Sequence, residues 1–255
     1  MSNKSRQTYG QGPLTVLITG ATDGIGLALA ERYDREGHSL ILVGRQERPT
    51  GAMFDISTYC RADLKADDAA ERVKIFLEKN EINGINRMIL NAGTGYWGRS
   101  RDQSSESILN TIAVNLSSSV ALIHNCQSHI EKANGRIVLV GSIAAALPCP
   151  DYAVYAATKA AIDGLCRSLQ HELAPGVSIR VIRPGATRSG LHAKIGVDPR
   201  KVDLSGFPSA KNVAKKIHST IEGWGSSKLL RTGERLVWQV GKKFPPVVDF
   251  FMRKR

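Results

Sequence analysis

The chain has 255 residues, 42% hydrophobic and 23% charged, a length that suits one α/β domain and a composition that builds a core, so wholesale disorder is excluded. Thirty-five basic against 23 acidic residues leave a net charge of +12. The excess is scattered, with short clusters at Lys215-Lys216, Lys242-Lys243 and Arg253-Lys254-Arg255; without a basic–aromatic stripe or a nucleic-acid-binding motif it reads as solvated surface, and no nucleic-acid partner is expected.

Residues 1–12 are polar and read as a flexible N-terminus with no apolar centre for a signal peptide. No uninterrupted apolar run reaches the ~20 residues needed to span a bilayer. Cys60, Cys126, Cys149 and Cys166 lie far apart without a C-x-x-C pair or a His cluster, so neither a disulfide framework nor a metal site is expected. The expectation is a cytoplasmic protein.

In chain order, Leu14 to Thr19 reads as a buried strand, and Ile25, Leu27, Leu29 and Ala30 carry helical spacing after Gly26. Between them Gly20, Gly24 and Gly26 form a turn without Cβ atoms, in which backbone N–H groups and the positive end of the helix can cradle a pyrophosphate. His38 to Val43 is a second strand ending at Gly44-Arg45. In dinucleotide folds an acidic residue near this point binds ribose hydroxyls, whereas Arg accommodates a 2′-phosphate. Arg45 with no carboxylate at the strand tip favours NADP over NAD, against the plainer reading of an exposed loop Arg; Asp23 stands in the turn where a second basic residue would have strengthened the case.

Thr58 to Leu64 predicts a third strand ending in Asp63, and Lys65 to Lys79 a helix. Asp63 has two readings, a bond to the adenine amino group or a cap on that helix. Arg87 to Leu90 predicts a fourth strand running into Asn91-Ala92-Gly93, Ser107 to Glu131 a long helix containing Asn115, Arg136 to Gly141 a fifth strand ending at Ser142, and Tyr152 to Leu173 a further helix. Ser178 to Ile182 is a sixth strand broken by Pro184-Gly185, the 186–208 stretch a long loop that serves as lid or substrate segment, and Ser209 to Glu222 a helix. Leu236 to Phe251 is amphipathic and has three possible faces to meet: its own domain, a sister subunit or a membrane surface. The regular alternation predicts a doubly wound parallel sheet in a single domain.

Tyr155 and Lys159 stand at i, i+4 on one helical face, where a fixed ammonium lowers the pKa of a phenol towards the range of a general acid/base. Ser142, just past a strand end, can hydrogen-bond a substrate oxygen. Tyr-x-x-x-Lys alone is common; with this Ser and the glycine turn upstream it predicts an active site.

Thr19 to Gly26, Asp63, Asn91-Ala92-Gly93, Asn115, Ser142, Tyr155 to Lys159 and Pro184-Gly185 occur in one order along the chain, and on these residues it resembles the compact, single-domain short-chain dehydrogenase/reductases. The resemblance implies a Rossmann-type sheet of about seven strands, the last near Lys228 to Leu230. It implies Tyr155 as acid/base, Lys159 holding the nicotinamide ribose, Ser142 orienting a carbonyl, Asn115 in a proton relay, and Thr187 on the nicotinamide carboxamide. The expected cofactor set is Gly20, Thr22, Asp23, Gly24, Ile25, Gly26, Arg45, Asp63, Leu64, Asn91, Ala92, Gly93, Tyr155, Lys159, Pro184, Gly185 and Thr187. A homodimer or homotetramer through the helices carrying Asn115 and Tyr155 is implied as well.

Two departures from that pattern stand out. Only a dozen residues, Pro49 and Gly51 among them, join Arg45 to the third strand, so the helix expected there is truncated. Tyr152 lies at i, i+7 from Lys159, as in enoyl reductases. The leading expectation is an NADP-dependent carbonyl or alcohol oxidoreductase. The alternatives are an enoyl-type reductase using Tyr152, with Tyr152 otherwise a pocket wall, and a nicotinamide-binding sensor or scaffold without turnover. Tyr96, Trp97, Leu147 and Leu191 point to an apolar or aromatic substrate, with Lys194 or Arg188 available to an acidic group.

Overall fold

Strands that are buried along their whole length must be covered on both faces. Val16 to Thr19 and Leu40 to Gly44 are buried residue after residue. The computed structural model, which describes residues 12–47, 49, 52–55, 58–198, 200, 202–223 and 232–246, shows how the cover is made. Six parallel strands, β1 (Thr15–Thr19), β2 (Ser39–Gly44), β3 (Tyr59–Arg61), β4 (Arg87–Leu90), β5 (Arg136–Val140) and β6 (Ser178–Ile182), form one sheet in the order β3-β2-β1-β4-β5-β6. That is the doubly wound Rossmann-type order, whose direction reverses between β1 and β4.

The twofold alternation of each strand separates two cores. Leu17, Ile41, Val43, Met88, Ile137 and Leu139 face the helices α2 (Ala69–Lys79), α4 (Ser118–Asn125), α5 (Gln127–Lys132) and α6 (Ala153–Leu169). Val16, Ile18, Leu40, Leu42, Ile89, Val138 and Val140 face α1 (Gly24–Arg35) and α8 (Ala210–Glu222).

The predicted elements recur with three corrections. The third strand is three residues long, and Asp63 lies beyond it, its carboxylate accepting the Lys65 N–H at 3.3 Å. Helix α2 begins at Ala69 after Asp68, so Asp63 does not cap it. Secondly, the long helix expected from Ser107 is interrupted: α3 (Ser105–Ile112) passes into a π-helical turn, Ala113–Ser117, before α4, and Cys126 breaks the run again before α5. The 21-residue stretch Ser105–Asn125 is apolar and long enough to cross a membrane by length and composition, but here α3 packs on α6 and α4 on α2. Thirdly, the 186–208 loop contains a short helix, α7 (Leu191–Lys194), and its ends are tied together, Arg188 N–H bonding the Pro208 carbonyl at 2.9 Å.

Between β2 and β3 the described residues hold one 3-10 turn, Ala52–Phe54, where a crossover helix would otherwise run. The last helix, α9 (Thr232–Lys243), folds back on its own chain, against the 3-10 turn Ile143–Ala146. Its Trp238 ring receives the Arg183 guanidinium at 5.2 Å and the Lys242 ammonium at 5.0 Å. Of the other expectations, most of the flexible N-terminus, the seventh strand and the end of the tail lie outside the described residues.

Candidate active site

The crevice at the strand reversal is built from close backbone approaches. Gly20 follows β1 with φ +64°, and a Cβ there would stand 2.9 Å from the Ala92 Cα. Gly26 has no room at all: a Cβ would overlap the Gly20 carbonyl oxygen and stand 2.5 Å from Asn91 Nδ2. Thr19 Oγ1 accepts the N–H groups of Asn91 and Ala92, both at 3.0 Å, and Asn91 Nδ2 donates back to the Thr19 carbonyl at 3.1 Å. The ends of β1 and β4 are thereby locked side by side. The sequence named Thr19 as the start of the motif but gave it no role, because a Thr at a strand end has many plainer uses.

Asp23 caps α1, its carboxylate accepting the Gly24 N–H at 2.6 Å. Ile25 packs on the core beneath the turn. Thr22 lies against Gly44, where a Cβ would come within 2.9 Å of its methyl group, so the glycine turn abuts the end of β2. Arg45, the next residue, is exposed. Asp63 is part exposed and paired with Lys65 at 4.0 Å, whereas the Leu64 side chain is buried in the core beside α2.

On the other side of the reversal, Asn115 is 2% exposed and uses its whole carboxamide. Its Oδ1 accepts the Thr94 N–H at 2.8 Å, while Nδ2 donates to the Thr94 carbonyl at 2.9 Å and to Thr158 Oγ1 at 3.0 Å. Thr158 in turn donates to the Tyr155 carbonyl at 2.7 Å. The π-turn is what aims Asn115 inward, and the result pins the segment after Gly93 to the helix bearing Tyr155 and Lys159. A Cβ on Gly93 would stand 3.6 Å from Asn115 Oδ1 and 3.7 Å from Lys159 Nζ, which places these groups around one point.

Lys159 is 4% exposed and donates to the Val140 carbonyl at 2.9 Å. Burial pulls its pKa down to about 8. Its ammonium lies 5.7 Å from the centre of the Tyr155 ring, and Tyr155 meets Tyr152 edge to face at 6.3 Å. Ser142, extended at the end of β5, accepts the Ala144 N–H at 3.2 Å and is hydrogen-bonded to the Tyr155 hydroxyl. Burial raises the Tyr155 pKa, and the Ser142 bond opposes that rise. This corrects the expectation of a lowered value: the desolvation of the phenolate outweighs what its neighbours return.

Pro184, Gly185 and Thr187 close the site. The Pro184 carbonyl accepts the Ile143 N–H at 3.2 Å, and buried Thr187 donates to the Gly185 carbonyl at 3.0 Å. Lys194 is not turned towards a substrate but ion-paired with Asp23. No signal in the sequence relates two residues 171 positions apart. A separate polar cavity of about 500 Å³ at the opposite end of the sheet is lined by Asn86, Arg87, Asn134 and Arg136 and by none of these residues. Its guanidiniums hold the end of α8: Arg87 pairs with Glu222 at 2.7 Å, and Arg136 bonds the Ile221 carbonyl.

A family model described as short chain dehydrogenase matches residues 14–199. A protein of Mycobacterium tuberculosis named only as an oxidoreductase is 31% identical over 190 residues, 70% of this chain and 75% of its own. The 3beta-hydroxysteroid dehydrogenase 1 of Eggerthella lenta is 30% identical over 200 residues, 72% of this chain and 75% of its own. A short-chain dehydrogenase from Sphingobium yanoikuyae, solved in complex with NADPH, superposes with a TM-score of 0.75 at 26% identity, covering 92% of this chain and 96% of that one. With the motifs of the crevice standing inside the matched span, the chain belongs to the short-chain dehydrogenase family of oxidoreductases.

Proposed function

We propose that the chain exchanges a hydride between NADP and a carbonyl or alcohol carbon, with Tyr155 as the acid/base. The observation that carries this reading is that Tyr155 has Ser142 acting on its hydroxyl and the Lys159 ammonium 5.7 Å from its ring centre, that ammonium standing beside Gly93 at the end of β4. The Lys159 ammonium lies 5.7 Å from the Tyr155 ring centre, which supports Tyr155 rather than Tyr152 as the acid/base and with it the carbonyl reading over the enoyl one.

The residues present fit a dinucleotide. Gly20 and Gly26 leave a cradle that a Cβ would fill, the N-terminus of α1 opens onto it, and Arg45, exposed just past Gly44 and Thr22, would meet a 2′-phosphate. The Sphingobium yanoikuyae relative, bound to NADPH, supports the same choice. Asn91, Ala92 and Gly93 would flank the adenosine side, and Lys159 and Thr187 the nicotinamide side. When bound, the nicotinamide supplies or accepts the hydride.

In reduction, Tyr155 gives its hydroxyl proton to the substrate oxygen, which Ser142 orients by a second hydrogen bond. A raised phenol pKa suits this direction, since Tyr155 holds its proton at neutral pH. Lys159, with a pKa of about 8, is mostly charged at neutral pH and offsets negative charge left on the phenolate oxygen. Asn115, fully engaged with Thr94 and Thr158, acts here by holding Gly93 and α6 together. The substrate is apolar or aromatic, met by Trp97, Leu147 and Leu191. Leu109, 66% exposed, and Val120, 44% exposed, offer an apolar face on α3 and α4 to a second copy of the chain.

Titrating the protein with NADPH and NADH by nicotinamide fluorescence, then screening ketones, aldehydes and quinones for cofactor oxidation, tests the reading. Tighter binding of NADPH followed by turnover of a carbonyl compound is the expected result. Binding of neither cofactor would overturn it.

A further inference from the structure

Asp23 presents a contradiction inside the proposed cofactor cradle. Its carboxylate occupies the Gly24 N–H at the N-terminus of α1 and carries the same sign as the phosphates that terminus would receive. The remedy comes from the far side of the crevice. Lys194, the last residue of α7, reaches Asp23 Oδ2 and forms an ion pair that holds the carboxyl below the usual carboxylate range. The two segments lie close together: a Cβ on Gly190 would stand 2.6 Å from Asp23 Oδ2, and one on Gly24 would be in ordinary contact with the Ser189 Cβ at 3.6 Å. On its other flank the same segment holds the substrate side, where the Ile195 carbonyl accepts the Trp97 N–H at 3.1 Å. Helix α7 therefore spans from the glycine turn to the segment proposed to meet substrate, with Lys194 as its fastening on the cofactor side.

We propose that Lys194 is the counter-ion that lets a turn bearing Asp23 accept the phosphates of the nucleotide, and that the same bond ties the 186–208 loop over them. The inference rests on the nicotinamide reading above. The ammonium has three donors, enough to serve the carboxylate and a phosphate oxygen together. Removing it would leave an unpaired carboxylate facing a phosphate.

The test is a fluorescence titration of the full chain with NADPH and NADH, for the unaltered protein, Lys194→Met, Asp23→Asn and the double variant. Lys194→Met should weaken cofactor binding on the order of tenfold, the scale of one partly solvated charge pair. Adding Asp23→Asn should restore most of it, because Asn caps a helix as well as Asp without the charge. A loss larger for NADPH assigns the ammonium to the 2′-phosphate and an equal loss assigns it to the pyrophosphate; either sustains the proposal. NADPH should also slow proteolytic cleavage within residues 186–208 of the unaltered protein and not of Lys194→Met. Unchanged affinity in Lys194→Met, or a double variant as weak as Lys194→Met, overturns the proposal. An unaltered protein that binds neither cofactor overturns the nicotinamide reading beneath it, a result distinct from binding that ignores Lys194.

Discussion

Lys159 on α6 donates its ammonium to the main-chain carbonyl of Val140, the last residue of β5, at 2.9 Å. One neutral acceptor does not replace the water that a cation loses on burial, and the Lys159 pKa falls from 10.5 to about 8. The side chain is therefore held in a place that costs the fold stability.

Lys159→Met should relieve that cost. Below pH 8 the folded and unfolded chains both carry the proton, and the full cost, about 3 kcal/mol from the two pKa values, is present. Between pH 8 and 10.5 the unfolded chain binds more protons than the folded one, so the unaltered protein gains stability as pH rises through that window. Urea unfolding should find Lys159→Met more stable by about 1–3 kcal/mol at pH 7, with the difference fading by pH 10.5. Turnover should fall at least about a hundredfold. A variant less stable at neutral pH would contradict the burial cost.

Tyr155→Phe removes one oxygen and little volume. Turnover should drop by about 10²–10⁴-fold while NADPH affinity stays within about twofold, as steady-state rates and fluorescence titration would show. Retained turnover would sink the acid/base assignment.

Ser142→Ala should act on the same phenol from the other side. The Ser142 bond opposes the rise that burial imposes on the Tyr155 pKa, so removing it lets that pKa rise further. In the alcohol-oxidising direction the phenolate is the working form, and the midpoint of the rate against pH should move upwards. A midpoint that stays put, or falls, would mean that the bond does not bias the Tyr155 proton.

Arg45→Ala should weaken NADPH about ten- to a hundredfold, the worth of a charged hydrogen bond, and change NADH by no more than about twofold. Equal losses for the two cofactors would remove Arg45 from 2′-phosphate recognition.

Asn115→Ala would leave the Thr94 N–H and carbonyl and the Thr158 hydroxyl without their buried partner. A loss of about 2–4 kcal/mol in unfolding free energy is expected, with kcat falling more than KM rises. A neutral effect on stability would show that water replaces the carboxamide freely.

The glycine turn, the order of strands and helices, and the pairing of Tyr155 with Lys159 on one helical face were legible in the sequence because each is a local pattern, whereas Ser142, thirteen residues before Tyr155, was singled out only in combination with the other motifs. A twofold or 3.6-fold repeat, a run of glycines after a strand and an i, i+4 pair all depend on residues a few positions apart. Helix α6 and strand β6 lie close to where their periodicity put them. The break at Asn115 was not legible, since the π-turn covers only five residues, too short a stretch to stand out from the apolar pattern of the helices on either side.

Tertiary structure decided what depends on distant partners. The reversal of strand order between β1 and β4 sets Asn91 against Thr19, 72 residues away, and so opens the crevice. The same assembly brings Lys194 to Asp23 and takes water from Tyr155 and Lys159, raising one pKa and lowering the other. Sequence spacing determined which groups share a helix or a turn; the dielectric around them and the charge that faces them follow from packing, because both are set by segments that meet only when the sheet is complete.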